Sequence, residues 1–580
     1  MKKLLPYLSP YKKECIISPL FKLLEAGFDL LVPFVVKNMI DEGIRLGIVD
    51  NDRSLIWMSC GLLVMLALVG LACSFTAQFF AAKAAVGFSS DLRSALFSHI
   101  QGFTYEQTDK IGTSTLITRL TADINQIQSG VNLTLRLLLR SPIIVFGSML
   151  MAFVVSPKNA WIFVIVIPLL AVIVFAVMMA CVPLYKRVQQ NLDRVTTVTR
   201  ENLNGVRVIR AFRKESEEID RFNTANTDHN YIQNHVGKIS ALLNPITLLV
   251  VNGGLIVLLL TGAIRVEDGG MTKGELFALT NYLSQILVEL VKFANTIISL
   301  NKALACASRV EAVLDSPTGM EIRESTDVHD SSAYAIELRG AELTYAGNAE
   351  PSLSGINLCV EHGKTVGIIG STGSGKTSLI NLIARFYDVT DGSVLIDGKD
   401  VREIDPNKLH ERIAIVPQKS VLFQGTIRSN LLWGNENASD EELWAALDAA
   451  QAKAFVAAKE GGLDAQVEAG GRNFSGGQRQ RLAIARALVR GADILILDDA
   501  SSALDYATDA ALRRAIRALP NQPAVLIVSQ RTASIRHADQ ILVLEDGESV
   551  GLGTHDELLI SCPVYKEIHE SQFQKGGEGA

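Results

Sequence analysis

Cysteine is sparse and unpatterned in this chain. Seven are scattered through 580 residues, an odd number with no CxxC pair, so no disulfide framework is expected and the thiols read as free. A basic excess is also missing. Lys and Arg number 55 against 61 Asp and Glu, a formal net charge of -6, which argues against a nucleic-acid partner. A secretory leader is absent too: MKKLLPYLSPYKKEC has a basic end, but its apolar run is short and broken by proline, so it reads as an amphipathic elbow at a membrane surface. Over long distances, charge itself is missing.

Between Arg53 and Lys83 lie 29 uncharged residues, between Lys158 and Lys186 lie 27, and between Lys238 and Arg265 lie 26. Each run can cross a hydrocarbon core of about 30 Å at about 1.5 Å per helical residue. Residues 15–40, 131–157 and 274–305 are less clean, apolar but with a few charges, which makes six expected crossings: about 15–40, 54–82, 131–157, 158–185, 239–264 and 274–305. The hydrophobic share of 48% and the positive mean hydropathy of +0.25 agree with a membrane protein.

Basic residues orient the spans. The N-terminal tail and the segments 83–140 and 183–238 hold 20 Lys and Arg against six on the other side. Both termini and both long loops are therefore expected in the cytoplasm of a multi-pass protein of the cell membrane. The long loops are polar, helical in pattern and free of Gly or Pro clusters, as for membrane helices that run on beyond the bilayer. Within the spans, Lys22, Glu25 and Asp29 share one helix face, Arg136 and Arg140 lie one turn apart, and so do Glu289 and Lys292. Intramembrane charges face cavities or one another. Glu25, Asp29 and above all Glu289 are candidates for a substrate path, with cytoplasmic helix extensions or mutual pairing as the alternative, in particular for Lys22, Arg136 and Arg140.

Residues 1–305 thus form an all-α six-helix transmembrane domain with long cytoplasmic extensions. A polar, turn-rich stretch makes 306–335 a linker. From 336 to 571, short apolar runs such as TVGIIG, ADILILD and AVLIVS alternate with helical patterns, the mark of an α/β domain with a largely parallel sheet. Residues 572–580 read as a flexible tail.

The run GSTGSGKT, Gly370 to Thr377, follows a strand and precedes a helix. In that context glycines let backbone N–H groups close on phosphates, Lys376 reaches the β and γ oxygens, and Thr377 can ligate Mg²⁺. Gly370, Ser371, Gly373, Ser374, Gly375, Lys376, Thr377 and Ser378 are the expected nucleotide-binding residues. Asp498, which ends the run ILILD, is the natural further partner of that Mg²⁺.

In FSGGQRQRLAIARAL the residues Ser475, Gly476, Gly477 and Gln478 stand some twenty positions before ILILDD. That SGGQ, after GSTGSGKT and IVPQKSVLF and before SALD, resembles the signature of ATP-binding cassette (ABC) proteins. Six spans followed by one such domain make the whole chain similar to a half-transporter of the ABC exporter type. The resemblance implies that Tyr345, in ELTYAG on the first strand, stacks on adenine. It also implies that Gln418 touches Mg²⁺, alongside Thr377 and Asp498, and relays the nucleotide state. Two cassettes would meet head to tail, so that the signature acts on the ATP of the other chain. ATP and Mg²⁺ are the implied cofactors.

The departures from that family carry information. Asp499 stands where a glutamate is usual, Gln530 where a histidine is usual, and Ala469 where exporters place a glutamate, with Glu468 one position off. Loss of a methylene withdraws the carboxylate by about 1.5 Å, whereas a general base must approach its water to about 2.6–3.2 Å. Glutamine cannot carry the proton or charge of a histidine. With the signature intact, the chain resembles the degenerate-site subunit of bacterial heterodimeric multidrug-type exporters. The implied function is ATP-driven export of amphipathic drugs, lipids or peptides, with a second, homologous half-transporter and membrane lipid as partners. The alternative is a non-hydrolysing regulatory subunit of an exporter-like importer or another ABC machine.

Overall fold

The computed structural model describes residues 3–44, 53–320, 322, 333–500 and 503–573. Residues 321 and 323–332 of the expected linker and residues 574–580 of the C-terminal tail lie outside the described residues. The chain divides into two compact units: residues 1–101 with 113–317, and residues 102–112 with 318–580.

The first unit is helical. Helix α1 (Lys12–Asn38) is followed by α2 (Ser54–Gln101). The short α3 (Tyr105–Ile111) belongs to the second unit. Then come α4 (Thr113–Val155), α5 (Pro157–Ala211), α6 (Glu215–Glu267) and α7 (Lys273–Leu314). Among the described residues, five helices, α2 and α4 to α7, are long and apolar enough to cross a membrane. Helix α1 reaches a spanning length of 27 residues but carries Lys22, Glu25 and Asp29 within two turns. At 55 residues α5 is about 80 Å long, far more than a hydrocarbon core needs.

Local chemistry sets the helix ends. The span expected over 131–157 stops at Val155, because Ser156 is extended and Pro157 opens α5 with a ring preset for the first helical turn. Thr272 caps α7 in a reciprocal box with Glu275. The same helix runs past residue 305 to Leu314, because Cys306, Ala307, Val310 and Val313 recur at helical spacing and are buried. The linker expected from 306 therefore begins later, and β1 begins at Tyr334. Small residues bring helices together: a Cβ on Gly130 of α4 would meet the Cβ of Ala303 of α7 at 2.2 Å. Tyr282 is fully buried and donates its hydroxyl to the Leu30 carbonyl at 2.7 Å, which ties α7 to α1.

In the second unit, a six-stranded sheet has the order β12-β11-β3-β10-β9-β6. Its members are β3 (Thr365–Gly370), β6 (Ile413–Val416), β9 (Ile494–Asp498), β10 (Ala524–Val528), β11 (Gln540–Glu545) and the antiparallel edge β12 (Glu548–Gly553). Strands β3, β9 and β10 are buried at every residue, as continuous apolar runs in a parallel sheet require. A second, antiparallel sheet contains β1 (Tyr334–Leu343), β2 (Leu353–Glu361), β4 (Asp391–Ile396) and β5 (Lys399–Asp400), and β7 (Gly425–Thr426) pairs with β8 (Gln466–Val467). Helix α3 packs within this unit: Tyr105 stacks on Phe386 at 4.3 Å, the Tyr387 hydroxyl donates to Asp109, and the Gly319 N–H donates to the Gly102 carbonyl at 2.8 Å. The C-terminal helix extends from Pro563 to Phe573, so the tail expected from 572 begins with two helical residues.

Candidate functional site

Strands β3, β10 and β9 lie side by side and parallel, so their carboxyl ends open on one edge of the sheet, where ligands of open α/β folds bind. A cavity of about 690 Å³ lies there. Beyond β3, the loop passes through Gly373 and Gly375 in left-handed conformations, at φ 90° and 94°. A Cβ on Gly375 would meet Leu353 at 2.6 Å and the Ser352 carbonyl at 2.9 Å, so no side chain fits. The turn leads into α8 (Lys376–Ile383), whose first N–H groups have no partner within the helix and face the cavity.

Lys376, Thr377 and Ser378 line this cavity with Gln418, Asp498, Asp499 and Gln530. The Lys376 ammonium donates to the Gly370 carbonyl at 2.9 Å, the Ser371 carbonyl at 2.6 Å and the Ser374 hydroxyl at 3.4 Å, which holds it along its own loop. Burial pulls its pKa below the ordinary lysine value, against the attraction of Asp499 and Asp498. Burial and the neighbouring Asp499 push the Asp498 carboxyl up to about 6, opposed by Lys376. A bound cation would relieve this repulsion between two carboxylates. The oxygens of Thr377, Gln418 and Asp498 are hard donors of the kind Mg²⁺ accepts alongside phosphate oxygens, so the residues present fit both Mg²⁺ and a nucleoside triphosphate.

Asp499 takes a left-handed conformation at φ 47°, and its N–H donates to the Val528 carbonyl at the end of β10 at 3.0 Å. The Gln418 amide lies 3.4 Å from the Asp499 carboxylate. The structure thus brings together two positions 81 residues apart. Gln530 follows β10 with its side chain exposed at the cavity wall. The C-terminal helix holds its backbone: Gln572 donates its amide to the Gln530 carbonyl at 2.7 Å and accepts from the Thr532 N–H at 3.0 Å. Sequence reasoning missed Gln572, since nothing local links it to a loop forty residues earlier.

Tyr345 sits two residues beyond the end of β1 rather than on it, and lies outside the residues that line the cavity. Its ring packs edge-on against Tyr387 at 4.9 Å, and its hydroxyl donates to Ser378 at 3.1 Å. The SGGQ residues also lie apart from this cavity. Ser475 caps α9 (Gly476–Val489) in a reciprocal box with Gln478, and Ser475 and Gly476 are exposed. The N-terminus of this 14-residue helix is thus outside the lining of the chain's own phosphate-loop cavity. One turn into α9, Gln480 is buried and accepts a hydrogen bond from Ser420, which couples α9 to the segment that carries Gln418.

Among the substrate-path candidates, the structure replaces the expected cavity contact of Glu289 by ion pairs. Its side chain is only 5% exposed and accepts from Arg140 at 2.7 Å, Ser141 at 2.9 Å and Lys292 at 3.0 Å. Arg140 also pairs with Asp29 at 2.8 Å, and Lys22 pairs with Glu25 at 2.5 Å. Compensation by several opposite charges makes this cluster tolerable between helices.

The raised Asp498 pKa has a measurable consequence. The carboxyl must be deprotonated to ligate a cation. Mg²⁺ affinity of the nucleotide-loaded chain is expected to be level above about pH 6 and to fall by up to about tenfold per unit below it. Calorimetric Mg²⁺ titrations at fixed ADP, from about pH 5 to about pH 8, check this. Asp498→Asn should weaken Mg²⁺ binding and remove that part of the pH dependence. An unchanged slope in the variant would assign the titration to another group.

The family comparisons agree with this geometry. Residues 15–290 match the model of the ABC transporter transmembrane region, and residues 353–502 match that of the ABC transporter ATP-binding domain. An ABC transporter ATP-binding protein of Mycobacterium tuberculosis is 37% identical over 98% of this chain and 97% of its own length. The ABC transporter ATP-binding protein YfiB of Bacillus subtilis is 34% identical over 100% of this chain and 99% of its own. The ATP-dependent lipid A-core flippase of Salmonella typhimurium is 30% identical over 99% and 97%. The solved structure of a bacterial Atm1-family ABC exporter with ATP bound superposes with a TM-score of 0.81 at 22% identity, covering 97% of this chain and 99% of that one, and so shares the fold. The chain belongs to the ABC transporter family and carries the matches to its transmembrane region and to its ATP-binding cassette on one polypeptide.

Proposed function

We propose that this chain is one half of a heterodimeric exporter that moves amphipathic substrates out of the cell at the expense of ATP. Its own ATP site is degenerate, and its signature completes the catalytic site of a homologous partner. The observation that carries this reading is the pairing of Asp499 and Gln530 on the wall of one cavity with Lys376 and Asp498. Both the base and the switch position depart from the family pattern in the same site. In this reading α1 joins the five apolar helices as a sixth crossing, and both termini are cytoplasmic. Mg²⁺ is held by Thr377, Gln418 and Asp498, and Tyr345 lies against adenine. When bound, ATP supplies the phosphoryl bond whose cleavage resets the dimer. Lys376 and the α8 N-terminus orient its phosphates, Gln418 senses the metal, and Ser475 with the α9 N-terminus closes on the partner's nucleotide.

An amphipathic cargo is supported by the relative named a lipid A-core flippase and by the apolar, partly charged helices of the first unit. The test is ATP-dependent movement of fluorescent amphiphiles into proteoliposomes, by the chain alone and with its partner half. Full-rate pumping by the chain alone would overturn the heterodimer.

The segment VIRAFRKE, residues 208–215, closes α5 and places Phe212 at its tip with 72% of its surface exposed. In the proposed dimer this apolar knob docks on an ATP-binding domain, as α3 does through Tyr105. Phe212→Ala should leave ATP binding intact and lower ATP-stimulated transport by about tenfold or more, the scale of a lost buried aromatic anchor. Unchanged transport would remove the docking role.

A further inference from the structure

We infer that the cleft between α2 and α4 binds the anionic head of an amphiphile, with Arg136 as its counter-charge. This rests on the reading that α2 and α4 cross the membrane, and is independent of the asymmetric ATP sites. A cavity of about 440 Å³ lies between the two helices, lined by Leu71, Phe75, Gln78 and Phe79 of α2 and by Asn132 and Arg136 of α4.

Two arginines one turn apart have opposite surroundings. Arg140 is neutralised by Glu289, Asp29 and, at 4.0 Å, Glu25, although its Nε, like that of Arg136, is buried without a hydrogen-bond partner. Arg136 has no ion pair among the described residues. Its Nε is buried without a hydrogen-bond partner, and one terminal nitrogen reaches only the Asn132 amide oxygen, at 3.4 Å. A guanidinium inside a span without a carboxylate is costly, and it offers paired N–H donors to a phosphate or carboxylate.

The backbone reinforces this. Arg136 lies in a π-helical turn, Thr134–Leu138, an irregularity that recurs at functional sites. Across the cleft, Leu71, Phe75 and Phe79 recur every fourth residue and are 66%, 72% and 55% exposed, an apolar wall for a hydrocarbon tail. Arg136 stands five residues inside the expected start of its span, about 8 Å along the helix, from where its long side chain extends toward the head groups of the cytoplasmic leaflet. Charge, amides and apolar wall match one ligand chemistry: a phosphate or carboxylate head on an apolar tail.

The test is native mass spectrometry of the purified full-length chain in neutral detergent, titrated with phosphatidylglycerol and with phosphatidylcholine of the same acyl chains. Wild type should hold phosphatidylglycerol about tenfold more tightly, the scale of one charge-assisted contact. Arg136→Gln should abolish the preference, Arg136→Lys should retain most of it, and Phe79→Ala should weaken both lipids alike. Equal binding of the two lipids by wild type, or an undiminished preference in Arg136→Gln, would overturn the inference. Seating of a second copy's helix in the cleft, seen as a cross-link from Phe75→Cys that lipid does not compete away, would also overturn it. The proposed export activity would survive either result, because it is read separately from ATP-driven transport by wild type.

A proteoliposome arm separates the two sources of such a ligand. ATP-dependent transfer of labelled phosphatidylglycerol between leaflets, lost in Arg136→Gln, identifies cargo. Retention in its leaflet with a lipid-dependent ATPase rate identifies a resident lipid. Both outcomes support the site.

Discussion

Asp499→Glu combined with Gln530→His raises ATP turnover by the purified chain, by about 10²-fold or more, because a positioned base contributes about 10²–10⁴ in rate. In a homodimer of the native chain, both composite sites carry Asp499 and Gln530, so both lack a full-length base and a titratable switch side chain. The rest of the cavity is in place: the phosphate loop, the buried Lys376 and Asp498, and Gln418 at 3.4 Å from Asp499. The added methylene extends the carboxylate by about 1.5 Å toward the γ-phosphate. Imidazole restores a group that can donate to that phosphate and carry charge. Neither single change should match the pair, since residues that act as a unit are not additive. Steady-state phosphate release by the pure chain is the measurement, with Lys376→Ala as the background control. Brisk turnover by the native homodimer, abolished by Lys376→Ala, would overturn the degenerate-site reading.

Gly477→Asp, placed in this chain within the mixed dimer, should lower turnover by about 10² to 10³-fold, the scale of a lost phosphate-stabilising contact at a catalytic centre. The reason lies in the approach to α9. A Cβ on Gly477 already meets the Ala503 carbonyl at 3.0 Å, and in the proposed dimer a carboxylate beyond it opposes the partner's γ-phosphate. Gly477→Ala separates the two causes, since it adds the crowding without the charge. In the proposed assignment, Lys376→Ala removes a phosphate contact at the site that holds nucleotide without cleaving it. It should reduce ATP occupancy of this chain while mixed-dimer hydrolysis falls only in part. ATPase rates of the variants beside an unmodified partner decide the matter. If Lys376→Ala abolishes turnover and Gly477→Asp spares it, the two sites are assigned the wrong way round.

What could be read from the chain was local. A phosphate loop is one contiguous turn, its glycines required by left-handed backbone at Gly373 and Gly375, and SGGQ is a helix cap written in four letters. Charge-free runs located the apolar helices for the same reason, since a span needs about 20 consecutive apolar residues. Helix limits were less legible. The end of α7 and the start of β1 were displaced because a buried face, Cys306 to Val313, continues the helix under a polar composition.

Tyr345 and Glu289 mark the same boundary at the level of sites. Each was singled out by residue type and place in a pattern, and each finds its partners in distant segments: Tyr345 at Ser378 and Tyr387, Glu289 at Arg140 and Ser141. Arg136 and Arg140 look alike in sequence, one turn apart on an apolar helix. Only the packing of α4 against α1 and α7 neutralises Arg140 and leaves Arg136 beside an open cleft. The sequence by itself determined the family, the phosphate loop and the apolar helices, because those rest on contiguous residues and short periods. Only the tertiary structure decided that Gln418 meets Asp499, that Gln572 holds the loop of Gln530, and which intramembrane charges are compensated. Those contacts join positions tens to hundreds of residues apart, and their geometry exists only once strands and helices have packed.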